Sequence, residues 1–252
     1  MQHFIGTAGW RPAYLGVGIF CALTLIPLSL MFRAPPPAVG SVSTQAGATR
    51  RRREPALDVD GRTLQWLLVI AGVCCCVAMS MPQVHLVAYC ADLGYGPARG
   101  AEMLSLMLAC GVVSRIAFGL LSDRIGGLRT LLTGSVMQGV ALLLFLPFDG
   151  LTSLYVVSAM FGLFQGGIVP AYAIIIRDYF PAAEAGTRVS LVITATLLGM
   201  ALGGWMSGAI FDLTGSYRAA FVNGIAFNLV NVSIVGWLLW RRGRSGRGTA
   251  FA

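Results

Sequence analysis

Residues Ser114 to Gly127 read SRIAFGLLSDRIGG. The stretch ends a long apolar run, yet it holds an arginine, Arg115, and closes on an acid–base pair, Asp123 and Arg124. On a helix, Arg115 lies eight residues before Asp123, about 12 Å along the axis. In a bilayer that depth is hydrocarbon, where an arginine costs at least about 2.5 kcal/mol on insertion scales. An arginine near a helix end can stretch to the interface; one this deep also fits a water-lined cavity or a buried pair. No Asp or Glu sits deep in an apolar run to pair with it, so its charge suits an anionic substrate. The segment Gly119–Arg129 has a different character. Gly119 is small enough to let helices approach, and Gly126 permits a tight inter-helix turn. An acid such as Asp123 can meet the positive N-terminal end of a neighbouring helix. An ordinary polar turn would read the same way.

The rest of the chain supplies the bilayer. It has 252 residues, 56% hydrophobic and 11% charged, with a mean hydropathy of +0.76; a soluble domain carries about 25% charged residues. Runs long enough to span a membrane, about 20 residues each, recur near 13–32, 64–91, 103–121, 130–148, 151–176, 189–210 and 219–240. They predict an all-α membrane protein of seven transmembrane helices. Barrel strands would be shorter and would alternate polar with apolar.

The net charge of +8 comes from 18 basic residues, all arginine. Arg33, Arg50–Arg53, Arg62, Arg124, Arg129, Arg177, Arg188, Arg241, Arg242, Arg244 and Arg247 fall in alternate loops and the C-terminal tail, and only Arg11, Arg99 and Arg218 on the opposite side. Positive loops stay cytoplasmic, which predicts an N-terminus outside and a C-terminus inside. No soluble basic face exists to hold nucleic acid. The six cysteines lie in or at the ends of apolar runs and read as packing, Cys74–Cys76 included. The first run is too long for a signal peptide, and its positive charge follows it.

Four segments are expected: 1–33, a first span; 34–63, a Pro-rich and then Arg-rich cytoplasmic linker; 64–240, a six-helix bundle; and 241–252, a tail. There is an internal echo. Trp10-Arg11-x-Ala13-Tyr14 opens the first span and Tyr217-Arg218-x-Ala220-Phe221 the last, and both close on arginine, Arg33 and Arg241. The two spans read as equivalent ends of two repeat units, a transporter device. On that reading the chain holds one six-helix unit plus the last helix of a preceding one, with five helices missing upstream.

Other polar groups in the spans are candidates for a cavity. Gln83 and His85 follow Pro82, a kink position that exposes carbonyls. His85 can hold a proton near neutrality or make an interhelical hydrogen bond. Gln165 sits in the Gly-rich GLFQGG with Tyr172 two turns on, and both are expected to line a cavity. Asn223, Asn228 and Asn231 in the last span read as structural, and Gly199/Gly203 and Gly204/Gly208 as close-packing pairs.

GLLSDRIG resembles the loop motif G-x-L-x-D-R-x-G of the major facilitator superfamily. With PQVHLVAYCADLG (82–94), RDYFP (177–181), EAGTR (184–188) and GAIFDLTGSYRAAF (208–221) in order, the chain is similar to the monocarboxylate and oxalate/formate porter branch, from its sixth helix to its twelfth. The resemblance implies rocker-switch transport of a small solute, often a carboxylate, between two six-helix halves, here with the missing N-terminal helices or a partner half. It implies that Arg115 is a substrate or proton-coupling residue, and that Gly119, Asp123, Arg124 and Gly126 serve a cytoplasmic gate. Three departures stand out. Gly127 and Leu128 replace a basic pair. Gly111 stands where animal monocarboxylate carriers place an Asp. No basic residue lies in 189–210, where oxalate porters carry a lysine.

The predicted activity is secondary transport of a small anionic solute, with protons as candidate coupling ions, in the lipid bilayer of a bacterial inner membrane; the absence of lysine and the wealth of Arg, Ala and Gly suit a GC-rich genome. Neither a cofactor nor a metal is called for. One rival is a non-transporting fragment or decayed gene product. Another is a seven-helix receptor, although a retinal Schiff base would need a lysine. A third is a membrane enzyme, against which stands the lack of a nucleophile elbow or paired intramembrane carboxylates.

Overall fold

The structure, a computed structural model, describes residues 9–31 and 59–248, all helix and short turns. Among the described residues, seven stretches are long and apolar enough to cross a membrane. The chain divides into two units, Met1–Arg52 and Arg53–Ala252.

The described part of the first unit is one helix, α1 (Trp10–Met31). It is apolar on every side and almost wholly exposed, the signature of a helix meant for lipid or for a protein neighbour. Pro27 sits inside it. Thr24 and Ser29 turn their hydroxyls back onto the carbonyls of Phe20 and Ile26, at 2.9 and 2.8 Å, so neither exposes an unpaired group.

The second unit contains α2 (Gly61–Asp92), α3 (Pro97–Ile125), α4 (Gly127–Leu144), α5 (Leu151–Gln165), α6 (Ile168–Tyr179), α7 (Ala182–Thr214) and α8 (Tyr217–Gly248). α5 and α6 form one membrane crossing, 151–179. α2–α8 thus supply six membrane crossings. α2 starts three residues early because the Asp60 carboxylate accepts from the Arg62 N–H at 3.2 Å and caps the helix. α8 runs on through 241–248, where a tail was expected. Most of the linker, 34–58 with Arg50–Arg53, lies outside the described residues.

Two helix pairs are locked backbone to backbone. Gly199 and Gly203 of α7 lie on α2: an added Cβ would sit 2.6 Å from the carbonyl oxygen of Val73 or Val77. Gly162 and Gly166 lie on α3, where a Cβ would come within 2.1 Å of the Met107 oxygen and 2.3 Å of the Gly111 oxygen. In lipid there is no hydrophobic drive between helices, so such close van der Waals contact carries the association. Gly204 and Gly208, the second expected pair, meet only Val84 and His85 at ordinary distance. Cys74–Cys76 are buried free thiols, as packing requires.

α4 and α8 attach through polar groups. Asn231 Nδ2 donates to Ser135 Oγ at 2.8 Å, and Asn228 Nδ2 to the Ser135 carbonyl at 3.2 Å. Gln138 Nε2 donates to the Cys75 carbonyl at 3.3 Å, and the Tyr172 hydroxyl to Asn231 Oδ1 at 3.2 Å. All these side chains are buried, so one network joins α2, α4, α6 and α8.

Gly162→Val should destabilise the unit by about 1–3 kcal/mol, because overpacked interfaces cost that much. Gly186→Ala, at an exposed helical glycine with nothing within 4 Å, should stabilise it by about 0.5–1 kcal/mol. Thermal or denaturant unfolding of the purified chain in detergent checks both.

Candidate functional site

Two helix irregularities meet in mid-bundle. Pro82 lies inside α2; it lacks an N–H and so frees the carbonyl four residues back, that of Ala78. That oxygen faces Gly224 of α8, 3.6 Å from where a Cβ would be. The second irregularity is the joint between α5 and α6 at Gly166–Gly167, followed by Pro170. The joint stays near helical geometry, with φ −59° at Gly166 and −91° at Gly167, so the crossing loosens without turning aside.

Gln83 directly follows Pro82, and Gln165 directly precedes the joint. Gln83 Nε2 donates to Gln165 Oε1 at 2.9 Å. Gln165 is buried and Gln83 half-buried. One amide–amide bond uses a single donor and a single acceptor, leaving each amide further capacity. Gly166 packs on Gly111 and on the Cβ of Ser114, so the residue after Gln165 touches the residue before Arg115. Gln83 and Gln165 thus meet directly, and the backbone beside Gln165 packs on the neighbour of Arg115.

Arg115 lies on the flank of α3, beside the buried row Met107, Gly111, Ser114 and Phe118, and is exposed. Every other charged side chain among the described residues lies within about two turns of a helix end. Gly111 gives no hint of a missing carboxylate: it is buried against the Gly162 carbonyl, where a Cβ would fit at 3.8 Å. The buried Ser114 hydroxyl has no partner among the described residues.

His85 is half-buried, two residues beyond Gln83 on α2. Its Nε2 lies 2.9 Å from the Gly204 carbonyl of α7, and its ring is 6.0 Å from that of Tyr217. Tyr172 departs from the expectation of cavity lining. It is fully buried, and its hydroxyl belongs to the network with Asn231 on the α8 side of α6. Asn228 and Asn231 are structural, as expected. Their partners Ser135 and Gln138 were missed by sequence reasoning; a glutamine in the middle of the α4 run was the available signal.

The gate motif resolves into separate parts. Gly126 has φ 88° and is the single residue between α3 and α4. Its N–H closes α3 on Ser122 O at 2.9 Å, and its carbonyl accepts from the Thr130 N–H and hydroxyl. Only glycine adopts this geometry freely. Asp123 and Arg124 are exposed, and among the described residues no ion pair holds either of them. Gly119 is exposed with nothing within 4 Å of an added Cβ, so the close approach expected of it is not made within this unit.

The family's other motif segments clamp the same end. Arg188 pairs with Glu184 at 2.8 Å, and its guanidinium lies 4.1 Å over the Phe180 ring. Gln65 of α2 donates to the Arg188 carbonyl at 3.3 Å. At the opposite end, Glu102 bonds both Arg99 and the Tyr155 hydroxyl, and Arg218 pairs with Asp149 at 3.6 Å. An open recess of about 680 Å³ at the α4–α5 turn, lined by Leu144, Phe148, Val156 and Met160, has no charged lining and does not suit a polar solute.

The family model for the Major Facilitator Superfamily matches residues 2–126 and 102–251. The chain belongs to this superfamily. Among its relatives in the superfamily are the proteins named monocarboxylate transporter 13 of Bos taurus and of Rattus norvegicus, each 29% identical over 242 residues, 93% of this chain and 54% of the relative. A riboflavin transporter of Saccharomyces cerevisiae is 26% identical over 165 residues, 60% of this chain and 31% of that one. The chain thus spans about half the length of the first of these relatives. A crystal structure of the peptide transporter POT (E310Q mutant) with alafosfalin covers 69% of this chain and 37% of its own at a TM-score of 0.62 and 18% identity, which shows the shared major facilitator fold.

Gln83→Leu and Gln165→Leu should each destabilise the unit, and the double variant should cost less than their sum. The expected coupling is about 0.6–1.7 kcal/mol, the range of interhelical hydrogen bonds in membranes. A double-mutant cycle on unfolding in detergent measures it.

Proposed function

We propose that this chain is one part of a secondary transporter that moves a small monoanionic carboxylate across a membrane by alternating access. The observation that carries the reading is Arg115, a cation away from the helix ends, exposed on the flank of α3 and next to Ser114, on which the residue after Gln165 packs. A guanidinium binds a carboxylate through two parallel charge-assisted hydrogen bonds. The amides supply neutral donors and acceptors to orient the rest of the solute. No bond in the solute is made or broken. The names of the monocarboxylate relatives agree with a carboxylate; the riboflavin relative keeps other cargoes in the comparison.

In this reading the bundle α2–α8 is one wall of the cavity. A second six-helix half, with α1 as its last member, is the other wall. His85 is the proton-coupling candidate: its bond to Gly204 occupies one ring nitrogen and leaves the other for a proton. Gly119, Asp123, Arg124 and Gly126 form the inner gate, Gly119 receiving a helix of the opposite half. Tyr172 acts from the core by holding α6 to α8. The protein lies in a bacterial inner membrane with its C-terminus in the cytoplasm, by the asymmetry of its arginines.

In proteoliposomes containing the complete transporter, Arg115→Ala should cut uptake of a labelled short-chain monocarboxylate roughly ten- to a hundredfold, the loss expected for one charged hydrogen-bonding group. Its abundance in the membrane should be unchanged. Arg115→Lys should retain part of the uptake. Normal uptake by Arg115→Ala would overturn the assignment.

A further inference from the structure

α8 carries a second, unrelated pattern. Its buried residues Ala220, Phe221, Asn228, Asn231, Val235 and Leu238 fall within an arc of roughly 100° at about 100° per residue. Trp237, Trp240, Arg241, Arg244 and Arg247 fall within an arc of about 120° centred almost opposite. Its described members look away from the bundle. Trp237 and Trp240 are 38% and 53% exposed, and the Arg241 guanidinium lies 5.0 Å over the Trp237 ring. Arg242, by the same count, falls on the packed side.

The register along the axis matches a bilayer. From Tyr217, a hydrocarbon layer of about 30 Å takes about 20 helical residues and ends at Trp237. Indoles settle at that boundary. The helix does not stop there: it continues to Gly248, so positions 241, 244 and 247 follow at headgroup depth in one helical register. No Asp or Glu occurs from Tyr217 to the C-terminus. At the other end of the helix the contrast is plain, because Arg218 has Asp149 from its own chain.

We infer that the outward face of the α8 extension, Trp237, Trp240, Arg241, Arg244 and Arg247, is a binding surface for anionic phospholipid headgroups. Indoles fix the depth. Arginines supply the planar donor forks that match phosphate geometry, and stacking on Trp237 orients Arg241 beforehand. The helix carries these groups at spacings of three and four residues, so a headgroup can meet two of them at once. This surface is independent of the solute site.

The test uses the intact chain in bilayers of phosphatidylcholine with spin-labelled phosphatidylglycerol or spin-labelled phosphatidylcholine as probe. Electron paramagnetic resonance reads the fraction of each probe immobilised at the protein. The wild type should prefer phosphatidylglycerol several-fold, since basic side chains at headgroup depth attract anionic lipid. The variant Arg241→Gln/Arg244→Gln/Arg247→Gln should show nearly equal association of the two probes. Arg242→Gln, on the packed side, should keep the preference. In the wild type the preference should collapse between about 50 mM and about 1 M salt as charges are screened, a readout that needs no variant. A preference that survives the triple substitution, that is lost equally with Arg242→Gln, or that is indifferent to salt would overturn the inference.

Discussion

Hydrocarbon offers no hydrogen bonds, and that constraint shapes every level of this molecule. It forces the backbone into helices, because only there does each N–H find a carbonyl within its own segment. It also removes the hydrophobic drive between helices, leaving contact itself to hold them. Glycine answers both demands where α7 meets α2 and where α5 meets α3, since any Cβ at Gly162, Gly166, Gly199 or Gly203 would collide with a facing carbonyl. With these pairs locked, α4 and α8 close the bundle through Ser135, Gln138, Asn228 and Asn231, whose amides and hydroxyl pair only with one another and with neighbouring backbone and side chains. Unpaired, each would cost a kilocalorie or more. Paired, they fix which face of α8 looks inward.

The same constraint explains where the helices are imperfect. Pro82 and the Gly166–Gly167 joint both weaken the backbone ladder, which is tolerated in a membrane where neighbouring protein or a water-lined space satisfies the freed groups. The two imperfections stand next to Gln83 and Gln165, and the bond between these side chains ties one to the other. A bend in either helix at its weak point must therefore strain or break that bond. The bridge couples the geometry of the two helices, and Gly166, packed on Ser114, carries the coupling to the flank of α3 that bears Arg115.

Much of this was legible in the chain. Length and hydropathy suffice for seven spans, and Gly126 in SDRIGG predicts a tight turn that the φ of 88° bears out. Asn228 and Asn231 read correctly as structural because a polar group in lipid must find a partner. What stayed hidden is partnership across the sequence. Gln83 and Gln165 are 82 residues apart, and their pairing depends on how α2 and α5 face each other, which no local pattern encodes. A seven-residue spacing sets Tyr172 near Gln165 on one crossing, yet its hydroxyl goes to Asn231 of α8, a partner that spacing cannot name. Gly119 was read as a contact and lies open within this unit, because spacing says that a helix can be approached and never by what.

Arg115 brings the argument to electrostatics. Within the described bundle its charge has no carboxylate at its own depth; in the proposed transporter, water or an anion that comes and goes meets the cost of that charge. If an anion is bound there, the site is neutral when loaded and carries one positive charge when empty. Moving a charge through a low-dielectric layer is expensive and moving a neutral pair is much less so. The loaded site is therefore the cheaper one to enclose, and the empty one stays open to water until a second anion or another compensating charge arrives. In the proposed transporter, a lone arginine on an exposed helix flank thereby favours obligatory loading before the walls close, with no further device than the missing counter-charge.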